Sequence, residues 1–247
     1  MTDYKEFISY DVEIYEDLPE GNNIDLSKIT PSVAAFCTDY ENIHYYEGSP
    51  YMTKETACKL VVDLQKKVGE GFTLFTWNGT HFDLQLLGLY SGMVEECGRL
   101  ALNHVDGMFL VVSQKGFYLG LDKALIGAKM ETKLHEVHLN DKTKFSEMNG
   151  AKAPMLWRSG EYNAVKEYLK YDVIQPLKLA NHIQSSGYIR WKSNSGKDNW
   201  LKTQMLTVKE CLRLEKPDTS WMSNAPKRED FISWIPEKIL REEGVIQ

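Results

Sequence analysis

Cysteine is scarce in this 247-residue chain, and Cys37, Cys58, Cys97 and Cys211 stand far apart without forming a C-x-x-C pair. That spacing argues against a zinc module and for reduced thiols in an intracellular compartment. Long apolar runs are missing as well. None approaches the roughly 18 residues of a membrane span, and the opening Met1-Thr2-Asp3-Tyr4-Lys5-Glu6 lacks the apolar region of a signal peptide. A soluble, cytoplasmic protein with no membrane partner is the expectation. Positive charge is short in the first half: residues 1–120 carry 18 Asp and Glu against 8 Lys and Arg, and the remainder 17 against 21, within a net charge of -6. An acidic half beside a mildly basic one suits a polyanionic partner only if the acidic groups are themselves neutralised. With 43% hydrophobic residues the chain can bury a full core, and one domain with an elaboration is expected.

Three acidic segments occur in one order. Phe7 to Tyr15 has the β-branched and aromatic content of a strand, so Asp11 and Glu13, two apart, share a face while Val12 points the other way. The alternative is a solvent-facing D-x-E pair on an edge strand. Asn78-Gly79-Thr80-His81-Phe82-Asp83 follows the apolar strand Phe72–Trp77 and leads into a helix over 81–90, which puts Asp83 at the carboxyl end of a strand, where open α/β sheets bind ligands. Asn78 reads as a strand-to-helix cap or as a hydrogen-bonding group near substrate, and Trp77 and Phe82 as core packing or substrate contact. On a long helix over 162–184, Tyr168 and Asp172 lie one turn apart and pair a phenol with a carboxylate.

Together these segments resemble the DEDD, or DnaQ-like, 3'-5' exonucleases, in the subgroup with Tyr in the last motif, as in the exonuclease domain of family B DNA polymerases. Asp11 and Glu13 match D-x-E, Asn78 with Phe82 and Asp83 matches N-x3-F-D, and Tyr168 with Asp172 matches Y-x3-D. The resemblance implies an α/β, RNase H-like mixed sheet flanked by helices. It also implies two divalent cations, Mg²⁺ or Mn²⁺, about 3.5–4 Å apart on clustered carboxylates. By resemblance, Asp11 bridges both ions, Glu13 and Asp172 complete the site for the ion carrying the nucleophilic water, and Asp83 reaches the second through water. Tyr168 positions that water, since a phenol with a pKa of about 10 is a poor base at neutral pH. Asn78 and Phe82 are the expected substrate contacts. The expected partner is nucleic acid, single-stranded DNA 3' ends first, with replication or repair proteins beyond it. RNA as substrate, or a catalytically idle binding module, are the alternatives.

The resemblance spans roughly residues 5–185. It leaves 1–186 as the expected exonuclease domain and 187–247 as a C-terminal extension packed on the core. Asp106, in the apolar segment 105–112, is a candidate support rather than a ligand. His135 and His138 read as surface residues, and the polar, lysine-containing stretch from about 128 to 157 reads as loop. Thr53 and Gly69 bracket a helix over 53–68, and Pro176 is expected to kink the last long helix. In the extension, a hairpin with its turn at 194–196 is expected. Trp191, Trp200, Trp221 and Trp234 are expected to glue the extension to the core, with base stacking beside Lys and Arg as the other reading.

Overall fold

Strand β1 (Phe7–Ile14) buries every residue except the half-buried Asp11, as a central strand must. In the computed structural model, which describes residues 5–19 and 24–247, β1 pairs antiparallel with β2 (Pro31–Cys37) and parallel with β4 (Thr73–Thr76). The sheet is completed by β3 (Ile43–Glu47) antiparallel to β2 and by β5 (Val105–Asp106) parallel to β4, giving the order β3-β2-β1-β4-β5. This is a mixed α/β sheet of RNase H-like form. Because β1 lies inside the sheet, the edge-strand reading of Asp11 and Glu13 is set aside. The opening residues 1–4 and positions 20–23 of the connection between β1 and β2 lie outside the described residues.

Helix α1 (Lys54–Gly69) starts on Thr53, whose hydroxyl accepts from the Thr56 N–H. Helices α2 (Asp83–Ser91) and α3 (Val94–Asn103) follow β4, and α4 (Gly107–Lys115) springs directly from β5. Helix α5 (Leu121–Gly127) then leads to the stretch expected to be loop. That stretch instead holds a small hairpin, β6 (Glu136–His138) with β7 (Lys144–Ser146), and helix α6 (Ala153–Arg158). Its alternating pattern is only three residues per strand, too short for periodicity to register. His135 and His138 are exposed as expected, near Asp122 and Glu167.

Helix α7 (Tyr162–Ser186) packs along β1 and β2 and runs unbroken through Pro176. The N–H that proline lacks would have met the Asp172 carbonyl four residues earlier. Beyond it come the expected hairpin, β8 (Tyr188–Lys192) with β9 (Asp198–Lys202), and three short helices, α8 (Val208–Leu212), α9 (Arg228–Ile232) and α10 (Glu237–Glu242). The four tryptophans divide. Trp191 is buried and Trp234 half-buried, but Trp200 is 59% exposed and Trp221 70% exposed. The expectation that all four serve as packing anchors is corrected for those two. All four cysteines are free thiols, and among the described residues no helix is long and apolar enough to cross a membrane.

Candidate metal centre

The parallel partner β4 pairs with β1 only from Phe7 to Ser9. Beyond that point the β1 edge has no ladder partner, and the Val12 N–H donates instead to Asp83 Oδ1 at 3.2 Å. Asp83, the first residue of α2, is thereby tied to the strand bearing Asp11 and Glu13. On the same side of β1, α7 brings up Asp172 and Tyr168. One carboxylate oxygen each of Asp11, Glu13 and Asp172 lies within 4.8 Å of the other two. Asp83 is outside that trio but lines the same cleft of about 310 Å³, together with Asn78, Phe82, Tyr168, Leu18 and Trp77. A second cleft of about 500 Å³, lined by Glu47, Trp157, Tyr162 and Lys166 among others, includes none of the acidic motif residues.

The electrostatics of the trio are unfavourable without a cation. At an effective dielectric of about 20, two ionised carboxylates 4.8 Å apart repel by roughly 3.5 kcal/mol. Burial, and then neighbouring carboxylates, hold Asp11 and Glu13 well above the ordinary carboxyl range. Asp172 is raised by burial, with Lys133 opposing. Burial pushes Asp83 up to about 7, Asp106 adding to the rise, while the N–H groups of Val12 and of Asp83 itself pull the other way. Two acceptors facing the cleft, Asp172 Oδ1 and Asn78 Oδ1, are buried without a protein partner. An all-oxygen set of clustered, desolvated carboxylates is the donor chemistry of hard divalent cations, so these residues fit such an ion.

The Asp83 shift carries a testable sign. A carboxyl whose folded pKa lies above its unfolded value contributes stability that is complete below its unfolded pKa and is lost as pH rises through the folded one. In EDTA, the stability of the wild type relative to Asp83→Asn is therefore expected to fall as pH rises from about 4 to about 8. Thermal melts in which that difference grew with pH would contradict the assignment.

Lys133 is the residue that sequence reasoning missed. It sits in the connection between α5 and β6, its backbone N–H donating to Asp122 Oδ1 at 2.9 Å. Its Nζ lies 3.0 Å from Asp172 Oδ2 and donates to the Tyr168 hydroxyl at 3.1 Å. Burial works against the Lys133 charge, but Asp172, Tyr168 and Asp11 outweigh it and hold the ammonium above its usual range. One lysine among the several of a polar stretch gives no local signal. Tyr168 itself is 1% exposed, and burial, with Asp172 and Glu13, raises its hydroxyl further above 10.

Asp106 is a brace. Its Oδ1 accepts from the N–H groups of Asn78, Met108 and Phe109, and its Oδ2 from the N–H and hydroxyl of Thr80. With both oxygens so engaged it caps α4 and pins the 78–83 turn. That turn needs pinning because Asn78 has φ 76°, a left-handed conformation that Asn tolerates better than most residues. The cap reading of Asn78 is corrected: Phe82 precedes α2, with no side-chain cap. Beneath the turn, His104 is buried, and burial lowers its pKa against the opposing pull of Asp106; its Nδ1 hydrogen-bonds with the Ala101 carbonyl at 2.7 Å and its Nε2 with the Thr76 hydroxyl at 2.9 Å. Trp77 is fixed by its Nε1–H to the Leu119 carbonyl at 2.9 Å, and its ring lies so close to Gly107 that a Cβ there would come within 2.3 Å. From the C-terminal extension, Trp234 Nε1–H reaches the Thr80 carbonyl at 2.8 Å, and Phe231 packs on His81 with ring centroids 5.3 Å apart.

No protein-family model matches the chain, and no curated protein does either. Among solved structures, it superposes on the family B DNA polymerase from the hyperthermophilic archaeon Pyrobaculum calidifontis with a TM-score of 0.52 and 16% sequence identity. The match covers 83% of this chain and 28% of the polymerase chain, so the likeness is one of fold, to a part of a much longer protein.

Proposed function

We propose that this chain is a divalent-cation-dependent 3'-5' exonuclease that removes nucleoside 5'-monophosphates from the 3' end of single-stranded DNA. The observation that carries the reading is the trio Asp11, Glu13 and Asp172, with carboxylate oxygens within 4.8 Å of one another, joined in one cleft by Asp83 and Tyr168. In this reading Asp11, Glu13 and Asp172 hold two cations, Mg²⁺ or Mn²⁺, with Asp83 beside them. When bound, the ions lower the pKa of a water molecule and neutralise charge on the scissile phosphate. Residues 1–186 form the catalytic unit, and 187–247 support it from behind the 78–83 turn.

The chain's own groups have distinct tasks. Tyr168, whose hydroxyl is pushed above its ordinary range by burial first, serves to orient the water by hydrogen bonding rather than as its base. Lys133 sets a positive charge against Asp172 and the Tyr168 oxygen, which places it to offset the charge that builds up during phosphoryl displacement. Asn78 Oδ1 is free to accept a hydrogen bond from the terminal nucleotide, and Phe82 and Leu18 line the same cleft as apolar walls. A cleft of about 310 Å³ is at the small end of ligand pockets and suits one terminal nucleotide better than a base pair. Replication or repair proteins, each handling such ends, are the class of partner this activity would serve.

The reaction is tested with a 5'-labelled single-stranded DNA and a matched RNA, each with Mg²⁺, Mn²⁺ or EDTA. A metal-dependent ladder shortening from the 3' end of DNA is the expected result. Digestion of RNA alone would move the substrate class. Binding without cleavage on either strand would sink the enzyme reading. Lys133→Met is expected to reduce kcat by roughly 10²-fold with little change in KM; an unchanged kcat would remove Lys133 from the chemistry.

A further inference from the structure

The β8–β9 ribbon has two unlike faces. Inward, Ile189, Trp191 and Leu201 are buried, and Trp191 meets Phe117 edge-on with centroids 5.7 Å apart. Helix α5 lies against the ribbon backbone so closely that a Cβ on Gly127 would fall 1.9 Å from the Arg190 carbonyl oxygen. The ribbon is thus a fixed platform. Outward, the directly opposed pairs are Tyr188 with Lys202, Arg190 with Trp200, and Lys192 with Asp198. Trp200 is 59% exposed, Arg190, Lys192 and Lys202 are exposed, and the Arg190 guanidinium stands 5.0 Å from the Tyr188 ring centroid. Three cations against one carboxylate, interleaved with two aromatic rings, is unusual company in a chain of net charge -6.

The ribbon is also tied to the acidic cleft. At its turn, Asn194 Oδ1 accepts from Lys123 Nζ at 3.0 Å. The preceding residue on α5, Asp122, accepts from the Lys133 N–H at 2.9 Å, and Lys133 reaches Asp172. Two side-chain contacts therefore connect the ribbon's turn to the loop that borders the cleft.

We propose that the outward face of the β8–β9 ribbon binds single-stranded nucleic acid on the 5' side of the end held in the cleft. Trp200 stacks on an unpaired base, and Arg190 and Lys202 meet phosphates. This rests on the reading of the cleft as an exonuclease site. Charge selects a polyanion, and the exposed indole selects an unpaired strand, because every base offers a π-face to stack on once it leaves a duplex. The arrangement gives a nuclease with a one-nucleotide cleft a grip on the strand it shortens.

The test compares wild type, Trp200→Ala and the double variant Arg190→Ala/Lys202→Ala. Binding of a fluorescein-labelled oligothymidylate, longer than the roughly 16 nucleotides of the largest single-strand modules, is read by anisotropy in EDTA. Hydrolysis of the p-nitrophenyl ester of thymidine 5'-monophosphate, which engages the cleft alone, is read separately. Trp200→Ala is expected to weaken binding at least about 10-fold, and the double variant to flatten the slope of log K against log salt by about 1.4, for two phosphates on a single strand. Ester hydrolysis should be unchanged in both. Binding within about twofold of wild type and an unchanged slope, in correctly melting variants, would overturn the inference, as would a wild type that does not bind. A wild type that binds through the ribbon yet cleaves no ester would instead bring down the exonuclease reading and leave the ribbon standing.

Discussion

Asp11→Asn is expected to reduce phosphodiester hydrolysis on the order of 10³-fold while making the metal-free protein more stable. Both effects have one cause. Asp11 belongs to a trio of carboxylates within 4.8 Å of one another, and burial first, then its neighbours Asp83, Asp172 and Glu13, disfavour its charge. An amide keeps the shape of the side chain and removes the repulsion, so the melting temperature in EDTA should rise by several degrees, at roughly 2–4 °C per kcal/mol for a chain of this size. The amide also removes the negative oxygen that a cation needs. Added Mg²⁺ should stabilise the wild type strongly and the variant little, since only binding to the folded state shifts the equilibrium. Steady-state cleavage of an end-labelled strand and calorimetric melts with and without Mg²⁺ measure the two halves. A variant that is inactive but less stable in EDTA would mean that Asp11 is a structural carboxylate, not one strained for binding.

The second large effect is on the fold. Asp106→Ala is expected to cost on the order of 4 kcal/mol, because it leaves several buried or part-buried donors without an acceptor, each worth about 1–3 kcal/mol before water or relaxation offsets part of it. Those donors are the N–H groups of Asn78, Thr80, Met108 and Phe109. The variant should melt roughly 10 °C lower. It should also lose most activity below its melting transition, since the strained Asn78 and the first residue of α2, Asp83, hang on the released turn. Asp106→Asn retains one acceptor oxygen and should fall between the two. A fully active Asp106→Ala with an unchanged melt would contradict the brace, and a folded variant with unchanged melt and no activity would favour a direct catalytic role.

The acidic residues were legible because their chemistry demands a particular local frame. A strand places Asp11 and Glu13 on one face, and a helix places Tyr168 and Asp172 on another, by backbone periodicity alone. The central position of β1 was legible in the apolar run around Asp11. Lys133 was not, because nothing in its own neighbourhood distinguishes it from the other lysines of a polar stretch; it matters only because the α5–β6 connection folds back over α7. Asp106 was placed near the site but its bonding was hidden, since four of its five donors are backbone N–H groups and carry no residue identity. Trp200 and Trp191 show the same limit at shorter range. They lie in partner strands of one hairpin, Trp191 inward and Trp200 outward, and the choice of face follows from strand register, which composition does not reveal.

The candidate metal centre is best examined by counting Mn²⁺ bound per chain by electron paramagnetic resonance, in the presence of a nucleoside 5'-monophosphate, for the wild type and Asp11→Asn. Two ions on the wild type and loss of at least one in the variant are expected. Equal Mn²⁺ binding by both proteins, or none by the wild type, would contradict a metal centre built on Asp11, Glu13 and Asp172.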